Sequence, residues 1–181
     1  MHQRTLVLLE RTLWMVRICR WGQRNIYEQQ KRIGDDVRMK IMIGIDTGVN
    51  TGFAVAADRG KGGELEQVES LSITQAMSKV KDSVQTWGAQ NVCLYIEDAR
   101  KRTWFTGGRE KSQGVGSVKR DAQIWEDWCK EQGYLYKMIH PAANATKKKA
   151  TDFFRMTGWK GRTNEHARDA AMLVFQRLAK F

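Results

Sequence analysis

Between Ile43 and Ala56 the chain reads Ile-Gly-Ile-Asp-Thr-Gly-Val-Asn-Thr-Gly-Phe-Ala-Val-Ala. Two apolar runs flank a short turn rich in Gly, Thr and Asn, the pattern of a β-hairpin. Gly48 and Gly52 are read as supplying the unusual backbone angles and the close approach such a turn needs. The hairpin delivers one carboxylate, Asp46, to the end of a buried strand, where a charge is costly without a partner. A bound cation is the commonest partner for such a group. The alternative is an Asp that bonds the amides of its own turn.

The rest of the chain narrows what that carboxylate can serve. Its 181 residues suffice for one domain with a real core, and its formal charge is +11. Lys and Arg are spread along the chain and not confined to a tail, which points to a polyanionic partner, most often nucleic acid. Seven Trp and six Phe add stacking capacity, although most aromatics serve the core. Cys19, Cys93 and Cys129 are far apart, and His2, His140 and His166 are scattered, so no zinc-ligand spacing occurs. Cys93 and Cys129 read as core thiols, and a reducing cytoplasm fits this usage.

Residues 1–38 differ in character from 39–181 and are read as a basic N-terminal extension preceding the folded domain. The apolar stretch Leu6 to Trp21 is broken by Glu10, Arg11, Arg17 and Arg20. It is too charged and too short for a membrane span and lacks a secretory cleavage pattern. Met39 resembles a natural start, so the extension reads as a dispensable arm or an upstream misassigned start. A basic helix that touches nucleic acid is the other reading.

From residue 39 onward the pattern predicts strands over 40–46, 53–57 and 64–71, and a helix from Ser72 or Thr74 to about Thr86. A buried strand over 91–97 follows, then a polar loop over 98–114 and a patterned helix over 115–131. A strand over 134–139 and helices over 147–156 and 164–180 complete the chain. The order βββαβαβαα makes an α/β domain with a mixed five-stranded sheet, three strands antiparallel and then parallel strands, flanked by helices.

Glu97 ends the fourth strand. If that strand runs parallel to the first, Asp46 and Glu97 emerge at the same sheet edge, where sites form in open sheets. Asp169 lies on the last helix, with Glu165 at i−4 and His166 at i−3, either of which can share its face. Small alanines around Asp169 would let that helix come close to the sheet. Three acids on one edge would repel unless divalent ions intervened, and oxygen ligands favour Mg²⁺ or Mn²⁺ over zinc. The alternative is that Glu97 and Asp169 pair with neighbouring cations such as Arg100 or Arg168.

The segments IGIDTGVNTGFAVA (43–56), YIED (95–98) and HARDAA (166–171) resemble the RuvC-type Holliday junction resolvases of the RNase H-like superfamily. The resemblance covers about residues 40–180 and includes Ile139-His140-Pro141-Ala142-Ala143 followed by Lys147-Lys148-Lys149. It implies a two-metal crossover junction endodeoxyribonuclease of DNA recombination and repair, with two Mg²⁺ ions per site and Mn²⁺ as a substitute. Asp46, Glu97 and Asp169 would be the metal-binding acids. His166 stands where the family often has a further acid or a His, and Glu165 is a neighbouring acid that can serve instead. The turn from Asp46 to Gly52 is one residue shorter than in bacterial members, which implies a divergent, viral or phage-like branch acting in a bacterial or infected-host cytoplasm.

Arg100, Lys101, Arg102, Trp104, Phe105, Arg109 and Lys111 populate the 98–114 loop, a mixture of cations and aromatics suited to phosphates and unstacked bases. Lys119 opens the following helix, and Lys147 and Lys148 belong to a second basic patch. On the 115–131 helix, Val115, Val118, Ala122, Trp125 and Cys129 form one apolar line, with Ile124 and Trp128 beside it. One line can pack on the sheet and the other on a second subunit, and the resemblance implies a homodimer. The expected substrate is branched DNA, with no membrane association. A nuclease for RNA–DNA hybrids, a non-catalytic DNA-binding module and an actin-like ATPase are the competing classes; the chain is too short for the two lobes of the last.

Overall fold

The computed structural model describes residues 41–58, 63–101, 109–144 and 147–178, with the backbone alone for 109–115 and 118. The N-terminal extension lies outside the described residues. The strands are β1 (Ile41–Asp46), β2 (Thr51–Asp58), β3 (Gly63–Leu71), β4 (Val92–Glu97) and β5 (Leu135–Ile139). The helices are α1 (Ile73–Trp87), α2 (Arg109–Gln132), α3 (Ala150–Thr157) and α4 (Glu165–Leu178). The sheet order is β3-β2-β1-β4-β5. β1, β2 and β3 are antiparallel, and β4 and β5 run parallel to β1. This is the expected mixed five-stranded sheet, three strands antiparallel and then parallel strands.

Strand periodicity divides the sheet into two faces. Ile41, Ile43 and Ile45, with Phe53, Val55, Val92, Leu94 and Ile96, meet Ala76 and Val80 of α1 and Trp125 and Cys129 of α2 in the main core. The alternate residues, including Gly44, Asp46, Gly52 and Ala54, face α4, which packs across β1, β2 and β3. Ala167, Ala170, Ala171 and Val174 of that helix are buried.

The docking of α4 depends on two glycines. A Cβ at Gly44 would lie 2.1 Å from the carbonyl oxygen of Ala170, and one at Gly52 would lie 2.0 Å from that of His166. Helix backbone therefore rests directly on strand backbone. Gly48 and Gly52, expected to adopt unusual torsions, both lack a positive φ. Gly52 serves close approach instead, and the turn is closed by the Thr51 hydroxyl donating to the Gly48 carbonyl at 2.7 Å.

Local signals set most other boundaries. Ser72 and Gln75 form a capping box at the start of α1, and Gly88, at φ 81°, ends it. His140 caps the turn after β5, accepting from the Ala142 amide at 3.1 Å. Two helices depart from expectation. Helix α2 begins at Arg109, not Val115, so Arg109 and Lys111 lie on a helix and not on a loop. Gly114 and Gly116 cost helix propensity, about 1 kcal/mol each, without stopping a long helix anchored at its other end. Helix α3 begins at Ala150, so Lys147 and Lys148 precede it. Among the described residues no helix is long and apolar enough to cross a membrane.

Candidate active site

Asp46 ends β1, and the parallel register aligns Ile45 with Ile96 of β4. Glu97 is thus the next residue along the neighbouring strand, at the same edge. Both acids are buried, 9% and 7% exposed. On the other side of the hairpin, Gly52 lies opposite Asp46, and the His166 carbonyl rests against Gly52. This contact brings the first turn of α4 to the tip of β1. The His166 ring then meets Asp46, Nδ1 to Oδ2 at 2.9 Å, and the ring N–H donates when the carboxylate is ionised. Asp169, one turn further along the helix, lies within electrostatic range of Asp46.

The electrostatics of this edge are those of a site short of positive charge. Burial raises the Asp46 carboxyl to about 7, the Glu97 carboxylate pushes in the same direction, and the His166 bond opposes both. Asp169 is also raised, first by burial, while Lys147 pulls it down and Glu97 pushes it up. Thr47 is buried beside them and donates to the Glu97 carbonyl at 3.3 Å, tying the hairpin to the end of β4. Among the described residues no three acids or histidines are already drawn to metal-ligating spacing. The donor set is nevertheless oxygen-rich and mutually repulsive, which fits a hard divalent cation better than zinc.

The cations near this edge have other duties. Arg100 is bound to Asp98, the residue after Glu97. Its Nε donates to Asp98 Oδ1 at 2.6 Å and its Nη2 to Asp98 Oδ2 at 3.1 Å, while Nη1 meets Gln123 and Glu126. Asp98 is 2% exposed, and this clamp holds its carboxyl below the usual range against the opposing effect of burial. Lys101 adds a 3.6 Å contact to the same carboxylate. Arg100, expected at nucleic acid, is thus committed to joining the end of β4 to α2. Sequence reasoning missed Asp98; its position directly after a buried acid and two residues before an Arg was the available signal.

Glu165 and His166 separate clearly. Glu165 is ion-paired with Lys147 and half-exposed, whereas the His166 ring is bonded to Asp46. Lys147, expected at DNA, is thereby shared between Glu165 and the field at Asp169. Lys148 is half-buried, and its carbonyl accepts from Arg168 Nε at 3.0 Å. Lys119 is half-buried on α2. Arg102, Trp104 and Phe105 lie outside the described residues, as do the side chains of Arg109 and Lys111. The apolar line on α2 is largely internal: Ala122, Trp125 and Cys129 are buried. Trp128 stacks edge-on with Trp125 at 5.5 Å and with Tyr134 at 5.3 Å, so Ile124 is what remains of the second line on the surface.

No family model matches the chain, and no curated protein matches it. Among solved structures it is similar to RuvC from T. thermophilus in complex with a Holliday junction substrate. The two share 17% identity at a TM-score of 0.49, over 75% of this chain and 90% of that one.

Proposed function

We propose that this protein is a metal-dependent endonuclease for branched DNA, with four-way junctions as the preferred substrate. The observation that carries the proposal is the convergence of Asp46, Glu97 and Asp169, from two strands and a helix, on one sheet edge of a strongly basic chain. The segments that bear these acids are also those that resemble the RuvC-type resolvases. Divalent ions, when bound, would neutralise the acids, activate water and stabilise the leaving oxygen of a phosphodiester.

The chain's own residues would divide the remaining work. Asp46, at the tip of the central strand, presents its carboxylate within electrostatic range of Glu97 and Asp169. His166 orients that carboxylate through Nδ1 and keeps Nε2 for proton exchange at the leaving group. Water attacks phosphorus in line, leaving a 3′-hydroxyl and a 5′-phosphate. Two symmetric nicks require two copies of the site, hence a homodimer through α2, with Ile124 as its exposed apolar contact.

A cleavage panel in Mg²⁺ tests this reading, comparing a four-way junction, a flap, an RNA–DNA hybrid and plain duplex, with Asp46→Asn as control. Paired nicks in the junction, abolished by Asp46→Asn, are the expected result. Cutting of the hybrid alone would move the protein to the ribonuclease branch. Junction binding without cutting would make it a scaffold.

A further inference from the structure

The cations beside Asp169 form an organised group that the acid site does not use. Arg168, the residue before Asp169, donates from Nε to the Lys148 carbonyl at 3.0 Å and from Nη1 to the Thr163 carbonyl and hydroxyl, both at 3.3 Å. One guanidinium therefore staples the segment before α3 to the connector between α3 and α4. Both segments are basic. Lys148 and Lys149 lie on the first, and Lys160 and Arg162 on the second.

The connector is also shaped from within. Gly158, at φ 71°, ends α3, and the Trp159 amide donates to the Thr157 hydroxyl at 3.2 Å. The Trp159 indole folds back over Gly161, where a Cβ would come within 2.9 Å of Nε1. Lys160 and Arg162 flank that glycine, and both are exposed. Neighbouring cations are neutralised, Lys147 by Glu165 and Arg155 by Asp152. Lys148, Lys149, Lys160 and Arg162 have no carboxylate partner among the described residues.

We infer that Lys148, Lys149, Lys160 and Arg162 form a phosphate-binding platform, assembled by Arg168, that holds the DNA backbone next to the acid edge. This rests on the nuclease reading above and enlarges the basic patch around Lys147 and Lys148 with Lys160 and Arg162, joined to it by Arg168. Arg168 is a positioning residue. Its planar fork reaches two backbone segments at once in a fixed geometry that a flexible lysine does not reproduce. The platform reads no sequence, because its contacts are to phosphates.

The test is binding of the full-length protein to a synthetic four-way junction in EDTA, measured at several salt concentrations, with Mg²⁺ cleavage followed in parallel. Lys160→Gln combined with Arg162→Gln removes two exposed cations. It should weaken binding and make the slope of log K against log salt shallower by about 2. Arg168→Lys keeps the charge and breaks the staple. It should lower affinity several-fold, with the fold intact by circular dichroism. Unchanged affinity and slope in the double variant, with wild-type cleavage, would overturn the platform and leave the nuclease reading standing. Wild-type affinity in Arg168→Lys would overturn the staple. Failure of the unaltered protein to bind or cut any branched DNA would overturn both readings. Equal binding to an acidic polypeptide would overturn the assignment to DNA.

Discussion

Asp46→Asn should stabilise the metal-free protein while abolishing its activity. A carboxyl that ionises near 3.8 in the unfolded chain and near 7 in the native one is penalised in its charged native form by about 4 kcal/mol, at 1.36 kcal/mol per pH decade. The sign follows from the raised native value. Above pH 7 both states are ionised and the whole penalty is felt. Between 7 and 3.8 the native state holds a proton that the unfolded state has lost, so stability rises as the pH falls. Asn keeps the shape and a hydrogen bond to His166 but carries no charge. The expected gain in EDTA at pH 8 is about 2–4 kcal/mol, shrinking below about 2 kcal/mol by pH 5. Urea denaturation of both proteins across that range measures it. Adding Mg²⁺ at pH 8 should stabilise the wild type and not the variant. A variant less stable than wild type at pH 8, or a difference independent of pH, would refute the picture of crowded buried acids.

Other consequences follow from the same geometry. Gly44→Ala sets a methyl against the Ala170 carbonyl; it should cost about 3 kcal/mol or more in denaturation and lose cleavage, because α4 carries His166 and Asp169. Arg100→Met leaves Asp98 buried without its fork and should destabilise by about 3–5 kcal/mol near neutral pH. The Asp98 carboxyl is held low in the native state, so its stabilising contribution is present above the unfolded value and is lost as pH falls through the lower native one. The gap between Arg100→Met and wild type should therefore narrow in acid denaturation. Burial pushes the Cys93 and Cys129 thiols up to about 12; both should resist a thiol reagent at pH 8 and react on unfolding, as mass spectrometry of labelled peptides would show.

What the sequence could reveal was set by periodicity and by chain-local signals. Apolar runs bounded by turn residues marked β1, β2 and β4, and taking β4 as parallel to β1 put Asp46 and Glu97 at one sheet edge; which face each residue lines was not legible, because these strands are buried on both sides and do not alternate. The Gly-Gly approach to α4 was legible only in part: the alanines around Asp169 suggested a close helix, but nothing local said that Gly44 and Gly52 receive its carbonyls. Partner choice was less legible still. Arg100 has an acid two residues before it, yet Gln123 and Glu126 come from a helix more than twenty residues away. Glu165 and His166 are one helical step apart, about 100° of rotation, and nothing local said that the first would pair with Lys147 and the second with Asp46. Trp128 reads as a surface apolar residue by spacing and is drawn inward by Trp125 and Tyr134. The start of α2 was missed because a polar first turn carries no apolar period.

Asp46, Glu97 and Asp169 are proposed to hold divalent metal together for phosphodiester cleavage. Mn²⁺ uptake tests it most directly, followed by electron paramagnetic resonance on the full-length protein bound to a four-way junction. Comparison should be made with Asp46→Asn, Glu97→Gln and Asp169→Asn. The account predicts tight uptake by the wild type and its loss in each variant, with DNA binding retained. Uptake unchanged in all three variants, or absent from a wild-type protein that still cuts the junction, would contradict it.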